Sequence, residues 1–462
     1  MAQSSHGQRS PQSAVDAGAP VHLPGGPRGR FVIRRSLWVF WLLFAINTLN
    51  YLDRLVTLAV GPTLKSEFHL TYRQIGLLGS AFLLVYTLSA LPLGALADRL
   101  NARARVVAVG VAAWSVFSGL TAFTRGFGGL FVTRAAVGVG EASYGPAGAA
   151  LLASYYPPER RASVIGRWQV GQPLGALLAF LVAGALFAWL PAQIAWRAAF
   201  LITAIPGLLL AALAWRLADQ RAEHARPLPD LPDEAHAPRG LALRMEAQSL
   251  VRQALQALRI PMIWVVVALQ ALSFIVITPA FTFLPFYVQA PRGPFHLGAA
   301  HASFALGLTL VVGGFLGAIL GGLLSDRLNR GVPGGRVLAI TIGFAAAIPC
   351  YAVMLVATSL PVFLLASALT ALTLNLPTAA LTATTQDVAP ARLWATAIAV
   401  TMLLSHLLGD IWASTAVGAL STALHERIGL ALLLVGLPAL AVGGAVSLVG
   451  VRMYARSQPA LS

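Results

Sequence analysis

The run LNYLDRLVTLAV (49–60) is apolar except for Asp53 and Arg54, which stand side by side in what otherwise reads as a membrane helix. A second run, FVTRAAVGVGEASYGPAG (131–148), holds Arg134 and Glu141 among small residues. Seven residues make nearly two helical turns, so these two charges leave the helix on the same face. Two acids and two bases therefore sit at membrane depth. A charge in that setting finds a partner or gives up its ionised form. Such groups point to proton relays, ion pathways or contacts with a charged solute. The chemistry on offer is proton exchange at Asp53 and Glu141 and anion recognition at Arg54 and Arg134. Static pairs that fix helix packing are the plainer alternative. In SHLLGD (405–410), His406 lies one turn before Asp410, where it could join a relay or simply pack. Tyr51, Asn47, Tyr144, Asn375 and Thr378 are further candidates for the lining of a cavity.

Long apolar segments must position these groups. The chain of 462 residues is 57% hydrophobic and 10% charged, whereas a soluble domain is nearer a quarter charged. Apolar windows of about 20 residues, enough to cross a bilayer as a helix, recur throughout. The expected fold is an all-α polytopic membrane protein with twelve spans near 36–62, 74–97, 105–123, 127–154, 164–189, 198–216, 261–290, 302–325, 337–358, 361–385, 394–418 and 428–451. Residues 1–35 read as a disordered cytoplasmic tail with no secretory signal, and 452–462 as a second tail. Between spans six and seven, 217–260 reads as a linker. Its first part is Pro-rich, and its second part (241–260) is an amphipathic helix on the membrane surface. GRWQVGQPLG (166–175) should bend span five, and Trp196 and Arg197 in WRAAF read as interfacial anchors.

A net charge of +16 invites a nucleic-acid reading, but the arginines lie in short loops between spans rather than on one soluble face. Placing both termini in the cytoplasm puts about 24 of the 32 Lys and Arg inside and about six outside, as the positive-inside rule demands. The Arg bias, with Lys65 the only lysine, suggests a bacterial inner membrane. Cys350 stands alone, so no intrachain disulfide forms. HExxH, a His and Cys cluster and a Gly-rich phosphate loop are all missing, which argues against an enzyme, a metal site or a bound cofactor.

GALADRLNAR (94–103) follows span two and GGLLSDRLNR (321–330) follows span eight. Copies six spans apart imply two pseudo-symmetric six-helix bundles, 36–216 and 261–451, with a solute site between them. This paired loop and the twelve-span layout resemble the major facilitator superfamily. The family places Gly where this chain has Asn101 and Asn329, and Asn tolerates the same turn. Ala102 replaces one of the family's basic residues in the first copy. Asp98 and Asp326 close their helices at the cytoplasmic end, where a carboxylate opposes its own helix dipole but can meet arginines and the start of a neighbouring helix. Asp98, Arg99, Arg103, Asp326, Arg327 and Arg330 are therefore the expected gating charges, against the alternative of ordinary positive-inside loop charge.

NYLDR (50–54), RAAVGVGEASYGP (134–146) and ATAIAVTMLLSHLLGD (395–410) are similar to the Spinster-like branch of that superfamily. The resemblance implies proton-coupled movement of lysophospholipids or sphingolipids. Asp53 would be the titrating acid, Arg54 its partner and a headgroup contact, and Glu141 a second acid positioned by Arg134. Spans seven to twelve hold almost no charge but offer Phe274, Phe281, Phe283 and Phe286, so a cavity between the halves would be polar on one wall and apolar on the other. That suits an amphiphilic lipid. Organic-anion symporters also carry the NYLDR string, so a small organic anion or drug-like solute is the alternative, and a channel or passive scramblase is a third reading. The expected coupling ion is the proton, and the expected state is a monomer in contact with membrane lipid.

Overall fold

The structure is a computed structural model that describes residues 27–99, 102–217, 251–291, 293–390 and 393–457. The side chains of 27–35, 91, 95, 98, 99, 158, 159, 162 and 395 fall outside that description. The described residues are helical between short turns. In chain order the helices are α1 (Pro27–Ala59), α2 (Gly61–Glu67), α3 (Tyr72–Arg99), α4 (Arg103–Thr121), α5 (Phe127–Ser154), α6 (Pro158–Gln169), α7 (Gly171–Trp189) and α8 (Ala192–Trp215). A helical segment described over 251–258, here α9, precedes α10 (Pro261–Gln289) and α11 (Ala299–Leu306). A π-helical turn (Gly307–Val311) leads into α12 (Val312–Gly331). Then follow α13 (Gly335–Val356), α14 (Leu360–Asn375), α15 (Pro377–Val388), α16 (Trp394–Leu408), α17 (Asp410–Ala423) and α18 (Ile428–Ser457).

Among the described residues, ten stretches are long and apolar enough to cross a membrane. The long helices α1 and α5 hold the buried charges and several glycines, which lower mean hydropathy, and they complete twelve spans. Several spans are broken where the sequence places Pro or Gly. Span one stops at Val60 ahead of Gly61-Pro62, span ten is interrupted at Leu376 before Pro377, and span eleven breaks at Gly409. At Gly409 an added Cβ would lie 2.7 Å from the Ser405 carbonyl and 2.8 Å from that of Ala271, so the kink needs a residue without a side chain. Span five bends at Val170, between α6 and α7, as its Gly and Pro suggested.

Two boundaries differ from the sequence expectation. Helix α1 is already helical over 27–35, where the sequence alone suggests tail. Helix α18 runs on to Ser457, with Arg456 in its last turn complementing the helix dipole. Most of the proposed linker and surface helix lies outside the described residues. Its last part, α9, is docked rather than free on the surface: Ala257 is fully buried with Ile263, Val267, Ala389 and Ala397, and Thr396 Oγ1 donates to Gln253 Oε1 at 3.1 Å.

Helices α1–α8 pack mainly among themselves, as do α10–α18. Lipid removes the hydrophobic drive between spans, so close backbone approach and hydrogen bonds must hold them. The two groups meet at the end that carries α2. There α3 crosses α17 so tightly that a Cβ on Gly76 would sit 2.3 Å from the Ser414 carbonyl, and one on Gly418 2.3 Å from that of Tyr72. Ser80 and Thr415 share a 2.6 Å hydroxyl contact, and Tyr72 packs edge-on against Phe283 and Phe286. Lys65 and Glu426 add an ion pair at 3.1 Å.

Candidate functional site

Consecutive helical residues point about 100° apart, so Asp53 and Arg54 cannot face one another. They diverge into two separate sites. Asp53 turns toward α4 and α8 and is fully buried. Its Oδ1 accepts from Ser118 Oγ and, at 2.6 Å, from Thr203 Oγ1. Its Oδ2 faces Arg134 Nη1 at 3.8 Å and has no hydrogen-bond partner among the described residues. Arg134 donates instead to Thr57 Oγ1 (2.9 Å) and Thr121 Oγ1 (3.1 Å) and lies over the Phe200 ring.

Arg54 turns toward α3 and α5. It grips Glu141 Oε2 through Nη2 at 2.7 Å and Nε at 3.1 Å, with Glu141 almost fully buried. The rings of Tyr51, Phe82 and Tyr86 lie 4.8–5.0 Å from its guanidinium carbon. Of the two arginines expected for Asp53, Arg134 faces it, and Arg54 holds Glu141 instead. Arg134 and Glu141 do share a face of α5, but seven residues separate them by about 10 Å along the axis, too far to pair.

Both arginines line a cavity of about 300 Å³ between the two helix groups. Tyr51, Thr57 and Leu83 join them on one wall. Ile277, Phe281, Thr282 and Ser414 form the other wall, and Gly61, Leu64 and Phe286 lie on its α2 side. Asp53 and Glu141 stand behind the arginines and are not among its lining residues. Of the four phenylalanines, Phe281 and Phe286 line the cavity; Phe283 is core, and Phe274 stacks on His406 at 4.8 Å.

Several candidates are placed elsewhere. Asn47 donates to the Trp168 carbonyl at 2.9 Å; Tyr144 donates to the Leu43 carbonyl at 2.6 Å and accepts from Trp168 Nε1 at 2.9 Å. Both are buried and tie α1, α5 and α6 together, because their polar ends find backbone and indole partners inside the helix group. His406 Nδ1 lies 2.9 Å from Asp410 Oδ2 beside the Gly409 break, and neither residue is in the cavity lining. Asn375 bonds its own helix at Ala371 and borders a small crevice behind Phe281, while Thr378 is exposed. Trp196 is fully buried rather than interfacial, since its indole donates to Glu67 Oε2 at 2.5 Å; Arg197 pairs with Glu67 Oε1 at 2.8 Å.

At the end opposite α2, Asp326 pairs with Arg336 in the first turn of α13 at 3.1 Å. Arg336 also meets Asp387 at 2.5 Å, and Tyr454 donates to that carboxylate. Arg327 and Arg330 are exposed with no ion pair among the described residues, and Arg103 is half-buried. The Asp98 and Arg99 side chains lie outside the described set. Sequence reasoning missed Ser118, Thr121 and Thr203, which are ordinary hydroxyls in apolar runs. It also missed Asp387, whose signal was available as a lone acid near the end of span ten.

Residues 43–413 match the Major Facilitator Superfamily. The chain belongs to that superfamily. Within it, the chain is similar to Protein spinster of Drosophila melanogaster, 27% identical over 88% of this chain and 66% of the fly protein, just under two thirds of its length. Protein spinster homolog 3 of Danio rerio is 28% identical over 85% of this chain and 78% of its own. The Hexuronate transporter of Bacillus subtilis is 27% identical over 70% and 74%. Among solved structures, a bacterial homolog of the human lysosomal transporter Spinster, in an inward-facing and unoccupied conformation, superposes with TM-score 0.77 at 22% identity, over 92% of this chain and 99% of that one. That likeness is one of fold. The chain is therefore an integral membrane transporter of the major facilitator superfamily, similar to Spinster proteins.

Proposed function

We propose that this transporter is a proton-coupled secondary carrier that works by alternating access on an amphiphile with an anionic head and an apolar tail, of the lysophospholipid or sphingolipid type. The observation that carries the reading is the cavity: two arginines on one wall, each backed by a buried carboxylate, and opposite them Ile277, Phe281 and Phe286 with uncharged hydroxyls of Thr278, Thr282 and Ser414 between them. Protonation of Asp53 or Glu141 would free the arginine in front of it for an anionic headgroup. The apolar wall would receive the tail. The four charges and the hydroxyls around Asp53 are the coupling machinery, and Asp326 with Arg336 and Asp387 forms a latch at the opposite end. With both termini in the cytoplasm of a bacterial cell, the closed α2 end faces outward and the structure is the inward-facing state of a monomeric carrier. The chain is not an enzyme on this reading, and its coupling partner is the proton.

The relationship to the Hexuronate transporter supports a second reading, a symporter of small organic anions. A sugar acid needs several polar partners for its hydroxyls; Ile277, Phe281 and Phe286 offer none, and Thr278, Thr282 and Ser414 are the hydroxyls that this wall could supply. Proteoliposome flux separates the two. Labelled lysophospholipid driven by an imposed pH gradient is expected to accumulate in wild type and not in Asp53→Asn. Gradient-driven glucuronate flux without lipid flux would establish the second reading, and lipid movement indifferent to pH would establish a passive scramblase.

A further inference from the structure

A second concavity, about 440 Å³, lies on the flank of the N-terminal helix group, away from the central cavity. Leu93 and Leu96 of α3, Val106, Val109 and Ala113 of α4, and Val139 of α5 line it. Its floor is shallow in side chains because α4 and α5 cross there through Gly110 and Gly140, where an added Cβ on Gly140 would stand 2.6 Å from the Trp114 backbone nitrogen. Leu96, Val109 and Val139 are 41%, 57% and 44% exposed, so the furrow opens outward from spanning helices, where its surroundings are acyl chains. From Arg105 to Ala113 it runs about 12 Å along α4, close to the depth of one leaflet's hydrocarbon, which is about 15 Å.

Its mouth is chemically different. Arg105 stands there, exposed and without an ion pair among the described residues, beside Trp215, which is 57% exposed at the last turn of α8. Tryptophan settles at the headgroup level, and a cation between spans at that level attracts acidic lipid. We infer that this furrow is a binding site for one anionic phospholipid, with an acyl chain along Val109 and Val139 and the phosphate on Arg105. The site rests on the membrane placement of the spans and not on the transported substrate.

Native mass spectrometry of the full chain, titrated with phosphatidylglycerol or phosphatidylcholine in detergent, tests it. Wild type is expected to retain one phosphatidylglycerol in preference to phosphatidylcholine. Arg105→Gln should weaken phosphatidylglycerol about fivefold, the worth of one arginine at the headgroup level, and leave phosphatidylcholine unchanged. Val109→Trp fills the furrow from an exposed position and should weaken both lipids. Leu209→Trp, on the exposed face of α8 outside the furrow, should change neither. Wild-type retention in both furrow variants would overturn the assignment, as would equal loss in Leu209→Trp. A dimer that Val109→Trp dissociates would overturn it too, since the furrow's occupant would then be a second copy of the chain.

Discussion

The two buried ion pairs are built from one local motif but are not equivalent. Arg54–Glu141 is bidentate, at 2.7 and 3.1 Å, and its arginine has an aromatic collar open to the cavity. Asp53–Arg134 is a looser approach at 3.8 Å, sealed among hydroxyls. At an effective dielectric of about 20 the gross attractions are about 6 and about 4 kcal/mol. Both arginines line the cavity, but the tighter pair is the more accessible, with the Arg54 side chain 20% exposed against 4% for Arg134, and the looser pair is the one whose members have other partners. Ser118 and Thr203 hold Asp53 Oδ1, and Thr57 and Thr121 hold Arg134, so the pair has partners in reserve, but parting it would leave the buried Asp53 Oδ2 bare unless that oxygen takes a proton. Under the proposed function, recognition would fall to Arg54 and Glu141 and switching to Asp53 and Arg134.

Arg54→Gln tests the first assignment with the largest effect. Removing one member of a buried pair strands the other at a cost of about 3–5 kcal/mol. Flux should fall by about a hundredfold or more, and thermal stability should fall with it. Arg54→Gln/Glu141→Gln should recover much of the melting temperature but none of the flux. Recovered flux in the double variant would reduce the pair to helix packing.

Asp53→Asn is milder because the amide keeps its volume and its carbonyl can still accept from Ser118 and Thr203. Gradient-driven accumulation is expected to drop about tenfold, while substrate counterflow, which needs no net proton movement, stays within about twofold. Equal loss in both assays would put Asp53 in substrate binding and erase the distinction between the pairs.

Much of this arrangement was legible beforehand, and the misses have physical causes. Twelve spans, the duplicated loop and the four intramembrane charges follow from hydropathy, repetition and the rarity of charge in lipid. Which arginine each acid takes does not, since Arg54 and Arg134 both stood as partners for Asp53, and only the helix rotation that turns Asp53 and Arg54 away from each other decides between them. Tyr144 and Asn47 looked like cavity groups but spend their polar atoms on Leu43 and Trp168 inside one helix group. The hydroxyls of Ser118 and Thr203 were invisible because span-to-span rotation, not composition, decides which threonine meets an acid. Asp326 was readable as an acid seeking an arginine at its helix end, but its partner Arg336 is ten residues away and looked like one more loop arginine.

The closed α2 end offers a second contrast, between helix crossing and surface charge. Gly418→Leu drives a side chain into the Tyr72 backbone, where an added Cβ alone would stand 2.3 Å from the carbonyl. Backbone cannot yield as a flexible side chain does, so α3 and α17 must separate. With Cys350 replaced and spin labels at positions 69 and 425, the α2-end distance distribution should shift to longer values, and flux should fall about fivefold. An unchanged distribution would show that closure does not depend on this crossing.

Lys65→Ala is the smallest perturbation and the cleanest measure of what charge adds there. Lys65 and Glu426 are 3.1 Å apart, but their side chains are 21% and 60% exposed. An exposed pair of this kind contributes about 0.2–1 kcal/mol and is screened by salt. Lys65 also caps the Tyr72 ring at 4.5 Å, a cation–π contact worth about 0.5–1 kcal/mol at such a site. Loss of both should shift the closed-to-open ratio by no more than about thirtyfold in the same spin-label measurement, and by less at 1 M salt. Lys65→Arg should retain most of it, since a guanidinium serves both contacts. A shift larger than that of Gly418→Leu, or one indifferent to salt, would make the ion pair rather than the helix crossing the element that keeps the α2 end shut.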